Sequence, residues 1–223
     1  MKRSPLMACL ALGLGLLAPK AALADGQALL TESFDSSEQA AIRWTPLKSS
    51  QPWQVAGGEA VPGGAVIFDL LRTKDFTPVT GGAFDLTVMV RFESALADGN
   101  NRLILQMRDS ANGDGYEVVL SQGTANNTQI AAIAGSSTST LTKGLMAKPF
   151  TFPVDALTTI RWTRAPGGEM KVYIDGQEYL SGFDERFHRF DVLAIGSRAY
   201  APQGEPGPSA MRHFFGSVEL KGD

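Results

Sequence analysis

Residues Thr158 to Tyr179 read TTIRWTRAPGGEMKVYIDGQEY. Ile160 and Trp162 fall on one face of the first run, and Arg161 and Thr163 fall on the other. Pro166-Gly167-Gly168 reverses the chain. In the second run Val172 and Ile174 share a face, opposite Lys171, Tyr173 and Asp175. Side chains alternate across a strand with period two, so this stretch reads as strand, turn, strand. Asp175-Gly176 then supplies a tight hairpin turn, and a further strand follows.

The same punctuation runs outward in both directions. Phe84 to Glu93, FDLTVMVRFE, alternates most cleanly. Phe84, Leu86, Val88, Val90 and Phe92 lie on one face, with Asp85, Thr87, Met89, Arg91 and Glu93 on the other. Ala28 to Phe34 opens the series, Trp53 to Val55 leads into Gly57-Gly58, and Ala65 to Leu71 follows Pro62-Gly63-Gly64. Arg102 to Arg108 and Tyr116 to Ser121 flank the polar hairpin loop Asp109 to Gly115. Further strands are expected at Gln129 to Ala134, Ala156 to Arg164, Met170 to Asp175, Glu178 to Tyr179, Phe190 to Gly196 and His213 to Leu220. Only Glu38 to Trp44 reads as a turn or two of helix, with Asp35-Ser36-Ser37 ahead of it as caps. Gly135 to Thr142, small and polar, reads as a loop. So does Tyr200 to Ser209, which holds three prolines and two glycines. Many short strands at this spacing predict an all-β sandwich or barrel.

The chain has 223 residues and a formal net charge of −3. Lys2 and Arg3 precede an apolar run from Leu6 to Ala18, and Ala22-Leu23-Ala24 offers small residues for cleavage. The run is too short to cross ~30 Å of hydrocarbon, so 1–24 reads as a cleaved signal peptide and 25–223 as one domain. That export places the protein in the periplasm or outside the cell, with no stable membrane insertion after cleavage. Cys9 is the only cysteine and leaves with the leader, which rules out disulfides and thiolate chemistry in the mature chain. The leader carries Lys2, Arg3 and Lys20 and no acid, so the mature chain is more acidic still. Such a balance argues against a nucleic-acid partner. Asn126-Asn127-Thr128 matches a glycosylation sequon and reads as a chance match in a polar loop.

The order of these pieces resembles the concanavalin A-like lectin/glucanase superfamily, and within it the laminin-G-like secreted bacterial domains. The residues that carry the resemblance are Phe34-Asp35, Trp53 to Gly58, Phe84-Asp85-Leu86, Tyr116 to Leu120, Ile160-Arg161-Trp162, Val172 to Gly176 and Phe215 to Val218. The resemblance implies a jelly-roll sandwich of two antiparallel sheets, with one concave face, rim loops, and paired first and last strands. In this superfamily such surfaces often bind glycans, and some members cleave them.

Each kind of chemistry leaves its own pattern. Glycoside hydrolysis needs two carboxylates ~5 to 10 Å apart. The hydrolase branch of the superfamily places its acids at alternate positions of one strand, and no such run occurs here. Polysaccharide lyases on similar sandwiches use Tyr or His with Arg and Gln, but their strand motifs are also missing. His188 reads as a surface loop residue and His213 as structural. Calcium is possible in Asp109 to Gly115 through Asp109, Asn112 and Asp114, although Ala111 interrupts the ligand spacing. Asp98-Gly99-Asn100-Asn101 is a second acidic loop. Both also suit ordinary hairpin turns. For carbohydrate, polar side chains opposite core-facing neighbours nominate Arg91, Gln106, Arg108, Arg161 and Tyr173, converging if their strands line one sheet. Arg198 and Tyr200 border the long Pro/Gly loop and complete the expected set. The expectation is a lectin-like, non-catalytic carbohydrate-binding domain. The alternatives are a glycan-cleaving enzyme and an envelope protein that binds other proteins.

Overall fold

The alternation of Phe84–Phe92 (β6) becomes burial in space: every second residue from Phe84 to Phe92 is buried and those between are half-buried. The computed structural model describes residues 26–47, 52–61, 68–73, 76–92, 101–121, 128–142, 153–199 and 213–222. The expected signal peptide, Asn126 and Asn127 of the sequon, Asp98 to Asn100, Tyr200 and the Pro/Gly loop lie outside these residues.

One sheet, here the large sheet, has eight strands. They are Gln27–Glu32 (β1), Gln54–Ala56 (β3), Glu59–Val61 (β4), β6, Leu157–Arg164 (β11), Glu169–Ile174 (β12), Gln177–Phe183 (β13) and His213–Gly222 (β15). Their order is β13-β12-β11-β6-β15-β4-β3, with β1 also on β15. The small sheet has seven. These are Trp44–Leu47 (β2), Phe68–Thr73 (β5), Asn101–Arg108 (β7), Gly115–Ser121 (β8), Gln129–Ala134 (β9), Ser137–Thr140 (β10) and Val192–Ala199 (β14), in the order β10-β9-β8-β7-β14-β5-β2. All pairings between these strands are antiparallel. The architecture is the two-sheet jelly-roll sandwich that the strand pattern and the resemblance predict.

The inner faces meet in one core. Leu86, Val88, Ile160, Trp162 and Val218 come from the large sheet, and Leu103, Leu105, Met107, Val118 and Ile195 from the small sheet. Each such side chain contributes about 1.5–3 kcal/mol on burial. Phe84 meets the edge of Trp162 at 5.0 Å and of Phe190 at 5.6 Å. The turns that decided the fold are built as their residues require. Asp175 and Gly176 take φ of 48° and 81°, the left-handed pair of a two-residue hairpin. Gly168 has φ of 89°, and a Cβ there would stand 2.6 Å from the Asp184 carbonyl. The first and last strands pair, with Gln27 opposite Gly222.

Two expectations are corrected. Gly135 to Thr142 is not a loop throughout: after a turn, Ser137–Thr140 pairs with β9 as an exposed edge strand. β-branched threonines suit that position, and Gly135 at φ 58° makes the reversal. Trp44, assigned to the end of the helix, instead begins β2. The helix itself (α1, Ser37–Arg43) is capped by the Ser36 side chain, which accepts from the Gln39 N–H.

One end of the sandwich is closed by a buried cation. Arg164, with 0% exposure, donates from Nη1 to the Gly82 carbonyl at 2.7 Å and from Nη2 to the Asp184 carbonyl at 2.9 Å. Its guanidinium lies 5.3 Å from the Tyr116 ring. The Tyr116 hydroxyl donates to the Asp184 carboxylate at 3.0 Å, and burial raises the phenol pKa. Burial alone would raise the Asp184 carboxyl too, but hydrogen bonds from Arg186 and Tyr116 outweigh it and hold it below the usual carboxylate range. Replacing Arg164 with Met leaves the Gly82 carbonyl without its donor and the Asp184 carbonyl with Tyr116 alone, and is expected to cost about 3 kcal/mol or more. Arg161→Met, at an exposed ion pair, should cost under ~1 kcal/mol. Urea unfolding of both variants checks the contrast.

Candidate functional site

The two sheets turn opposite faces to their surroundings, and the sequence-nominated residues divide between them. Arg91, Arg161 and Tyr173 lie on the outer face of the large sheet, because their neighbours Val90, Phe92, Ile160, Trp162, Val172 and Ile174 fill the core. Gln106, Arg108 and Arg198 lie on the outer face of the small sheet, opposite the core-facing Leu105, Met107 and Ile195. The expected convergence on one surface does not occur. β11 lies between β6 and β12 in one sheet, while β7 and β14 are neighbours in the other.

The large-sheet candidates are already engaged. Arg91 donates to both oxygens of Glu59, from Nε at 2.9 Å and from Nη2 at 2.5 Å, and its guanidinium lies 4.2 Å from the Phe214 ring. Arg161 donates from Nε and Nη2 to Asp85 at 2.9 and 2.5 Å and sits 5.8 Å from the Tyr173 ring. The Asp85 hydrogen bond raises the Arg161 pKa.

The small-sheet face has a different character. Strand register places Arg72, Ala194, Gln106, Glu117 and Ala131 in one row across β5, β14, β7, β8 and β9. The next row is Leu70, Gly196, Ile104, Val119 and Gln129. Gly196 leaves space for its neighbour, since a Cβ there would stand 2.7 Å from Leu70 Cδ2 and 2.1 Å from the Asp69 carbonyl. Leu70, Ile104, Val119, Ala131 and Ala194 are buried although they lie outside the core cluster, so the sheet is apolar on both faces at its centre. The Gln106 amide donates to the Glu117 carboxylate at 2.6 Å. Arg72 is exposed, and among the described residues no carboxylate pairs with it. Arg108 donates to the Gly113 carbonyl, from Nε at 2.8 Å, and so braces the hairpin loop. Arg198 lies directly opposite Arg102. Arg72 and Glu117 were missed from the sequence. Each sits one position from a core residue of an apolar strand, which is the signal that marks an outward side chain.

The Asp109 to Gly115 loop spends its oxygens on itself. Asp109 Oδ1 accepts from the Ala111 N–H at 2.9 Å and from Arg189 Nη1 at 2.6 Å. Asn112 Oδ1 accepts from Asp114 N–H, and Asp114 Oδ1 accepts from Gly135 N–H, both at 2.8 Å. Arg189 already supplies the cation, and among the described residues no cluster of three acidic or histidine ligands forms. One oxygen each of Asp109, Asn112 and Asp114 thus already accepts a hydrogen bond within the fold. Millimolar calcium is expected to leave the thermal midpoint where chelator leaves it, whereas a saturable rise in midpoint would restore the metal site.

A cleft of about 620 Å³ opens beside α1, lined in part by Trp44, Trp53, Pro46 and Leu71. Both indoles are tied down: Trp44 Nε1 donates to Glu32 at 3.2 Å, and Trp53 Nε1 donates to Asp69 at 2.5 Å. Trp44 is 3% exposed and offers no stacking platform.

His213 is buried between the sheets, sharing a hydrogen bond from Nδ1 with Ser197 Oγ and lying against the Phe92 ring. Neither partner reaches solvent, so the pair is structural. His188 is exposed, as its sequence context indicated. Burial pushes the His213 imidazole down to about 3. Between its ordinary value near 6.5 and that limit, the unfolded chain binds a proton that the folded chain refuses. Stability should therefore fall as pH drops through this window, by up to ~1.4 kcal/mol per unit, and owe nothing to this group above it. Urea midpoints across the window should show the slope, and His213→Leu should lose it.

No protein-family model and no curated protein matches the sequence. Solved structures do match in shape. The carbohydrate-binding module CBM66 from Bacillus subtilis superposes with a TM-score of 0.56 at 12% identity, covering 80% of this chain and 94% of that one. The Bacillus licheniformis beta-glucanase gives 0.58 at 10% identity, over 89% and 100%. The VIP36 exoplasmic/lumenal domain, solved in a Ca²⁺/Man3GlcNAc-bound form, gives 0.57 at 13% identity, over 81% and 85%. Identities this low establish the fold and nothing finer. The chain has the concanavalin A-like jelly-roll fold shared by carbohydrate-binding modules, glucanases and lectin domains.

Proposed function

We propose that this protein is an exported, non-catalytic carbohydrate-binding domain whose ligand lies across the outer face of the small sheet. The observation that carries this is the row Arg72, Gln106 and Glu117, in which exposed Arg72 and half-buried Glu117 stand on either side of the buried Ala194 and Gln106. Strands stand about 4.8 Å apart, so Arg72 to Glu117 spans ~14 Å, room for a short oligosaccharide. Guanidinium, amide and carboxylate are planar groups that hydrogen-bond hydroxyls with defined geometry. The likeness to a carbohydrate-binding module and a lectin domain supports the same use. The leader-like start at 1–24 supports a periplasmic or extracellular location.

The beta-glucanase likeness favours a second reading, a glycan-cleaving enzyme. Retaining or inverting hydrolysis needs a carboxylate pair ~5 to 10 Å apart. Among the described residues, Glu117 is the one carboxylate on this face, which is why binding without cleavage is preferred.

A glycan-array and polysaccharide pull-down screen tests both. Binding is expected without new reducing or unsaturated ends. Gln106→Ala and Glu117→Ala are each expected to weaken it about tenfold, equivalent to ~1.4 kcal/mol. New ends would move the assignment to an enzyme, and the absence of any glycan binding would move it to a protein-interaction role.

A further inference from the structure

The two outer faces settle their charges differently. On the outer face of the large sheet the strand cations meet acids. Arg91 pairs with Glu59 and Asp155, Arg161 with Asp85, Lys171 with Glu169 and Glu178, and Lys221 with Glu219. The small sheet's described outer face carries four arginines, Arg72, Arg102, Arg108 and Arg198, against the single Glu117. Arg102 and Arg198 hold further contacts of their own, so the weight falls on Arg72 and Arg108. Arg108 bonds a neutral carbonyl, and Arg72 stands exposed with no acid beside it among the described residues. This positive ground sits on a chain whose overall charge is −3.

From this contrast we propose that the glycan bound here carries carboxylates, as a polyuronate does, and that Arg72 receives one of them. The inference rests on the reading of this face as a glycan site. A guanidinium presents two parallel N–H donors that match the two oxygens of a carboxylate. Glu117 does not cancel this preference. Its carboxylate is held by the Gln106 amide at 2.6 Å. It also stands ~14 Å from Arg72 along the row, beyond the ~8 Å over which exposed charges act at physiological salt. A glycan carboxylate therefore meets its cation at Arg72, at the end of the row away from Glu117.

The experiment is calorimetric titration of the full chain with polygalacturonate and alginate oligomers, beside the same oligomers with every carboxylate reduced to an alcohol. A neutral glucan and a sulfated glycan complete the set. The acidic oligomers are expected to bind at least tenfold more tightly than their reduced forms, with affinity falling as salt rises. Arg72→Ala should bring the acidic oligomer down to the affinity of the reduced one, and Arg72→Lys should recover only part of the loss. Arg72 is exposed and outside the core, so circular dichroism of both variants is expected to match the parent. Equal affinity for acidic and reduced forms, or binding of neutral glycans alone, would overturn the charge assignment and leave the glycan site standing. Binding of the sulfated glycan alone would overturn the carboxylate. No binding to any of these glycans would overturn both the charge assignment and the site.

Discussion

Arg164 places a guanidinium where no solvent reaches it, and the end of the sandwich is arranged around that fact. A buried cation must find acceptors for its protons, and here they are backbone carbonyls of two separate turns, Gly82 before β6 and Asp184 after β13. Those turns must come close, which is why Gly82 and Gly168 cannot carry a side chain. A Cβ on Gly82 would stand 2.6 Å from Arg164 Nη1. Tyr116 reaches across from the small sheet to complete the network. One residue of β11 thereby fixes the β11–β12 hairpin, the entry to β6 and the spacing of the two sheets. Removing a single partner from such a network is costly because the rest stay buried.

How much of this was legible followed the physics of each signal. Strand existence was readable wherever one face is buried and the other is not, as in β6, where Val88 and Met89 have different fates. The turns at Asp175-Gly176 and Pro166-Gly167-Gly168 were readable because their backbone conformations demand glycine or aspartate. Sheet membership was not. Alternation says that Arg161 and Gln106 point away from a core, but not that the core lies between them on opposite sides. That depends on which strands pair, a long-range property with no local trace. The clue that was available is in the apolar runs Leu103-Ile104-Leu105 and Val118-Val119-Leu120. Strands buried on both faces lose their alternation. Such runs belong to the small sheet here, while clean alternation marks the large one.

The candidate face gains its character from that distinction. A sheet that is apolar at its centre on both sides has few places for polar groups, so the Gln106–Glu117 pair and the arginines stand out by chemistry as well as position. The large sheet carries more charged residues, yet they neutralise one another in local pairs. Counting charged residues points to the large sheet; asking which charges already have partners among the described residues points to the small one. The Asp109 loop teaches the same lesson. Its acidic composition invites a metal, but Arg189 and backbone N–H groups already engage one oxygen of Asp109 and backbone N–H groups one each of Asn112 and Asp114.

The position of β15 sets how the chain can be made. The last strand lies inside the large sheet, flanked by β6 on one side and by β1 and β4 on the other. Until it exists, β1 has no described partner strand and β6 has only β11. The pairing of Gln27 with Gly222 closes a loop over nearly the whole described chain. Contacts so distant in sequence form late and slowly. A growing chain therefore cannot lock its larger sheet until β15 has been made. The sandwich closes only once β15 is free to enter, and until then β6 is an open edge of the larger sheet.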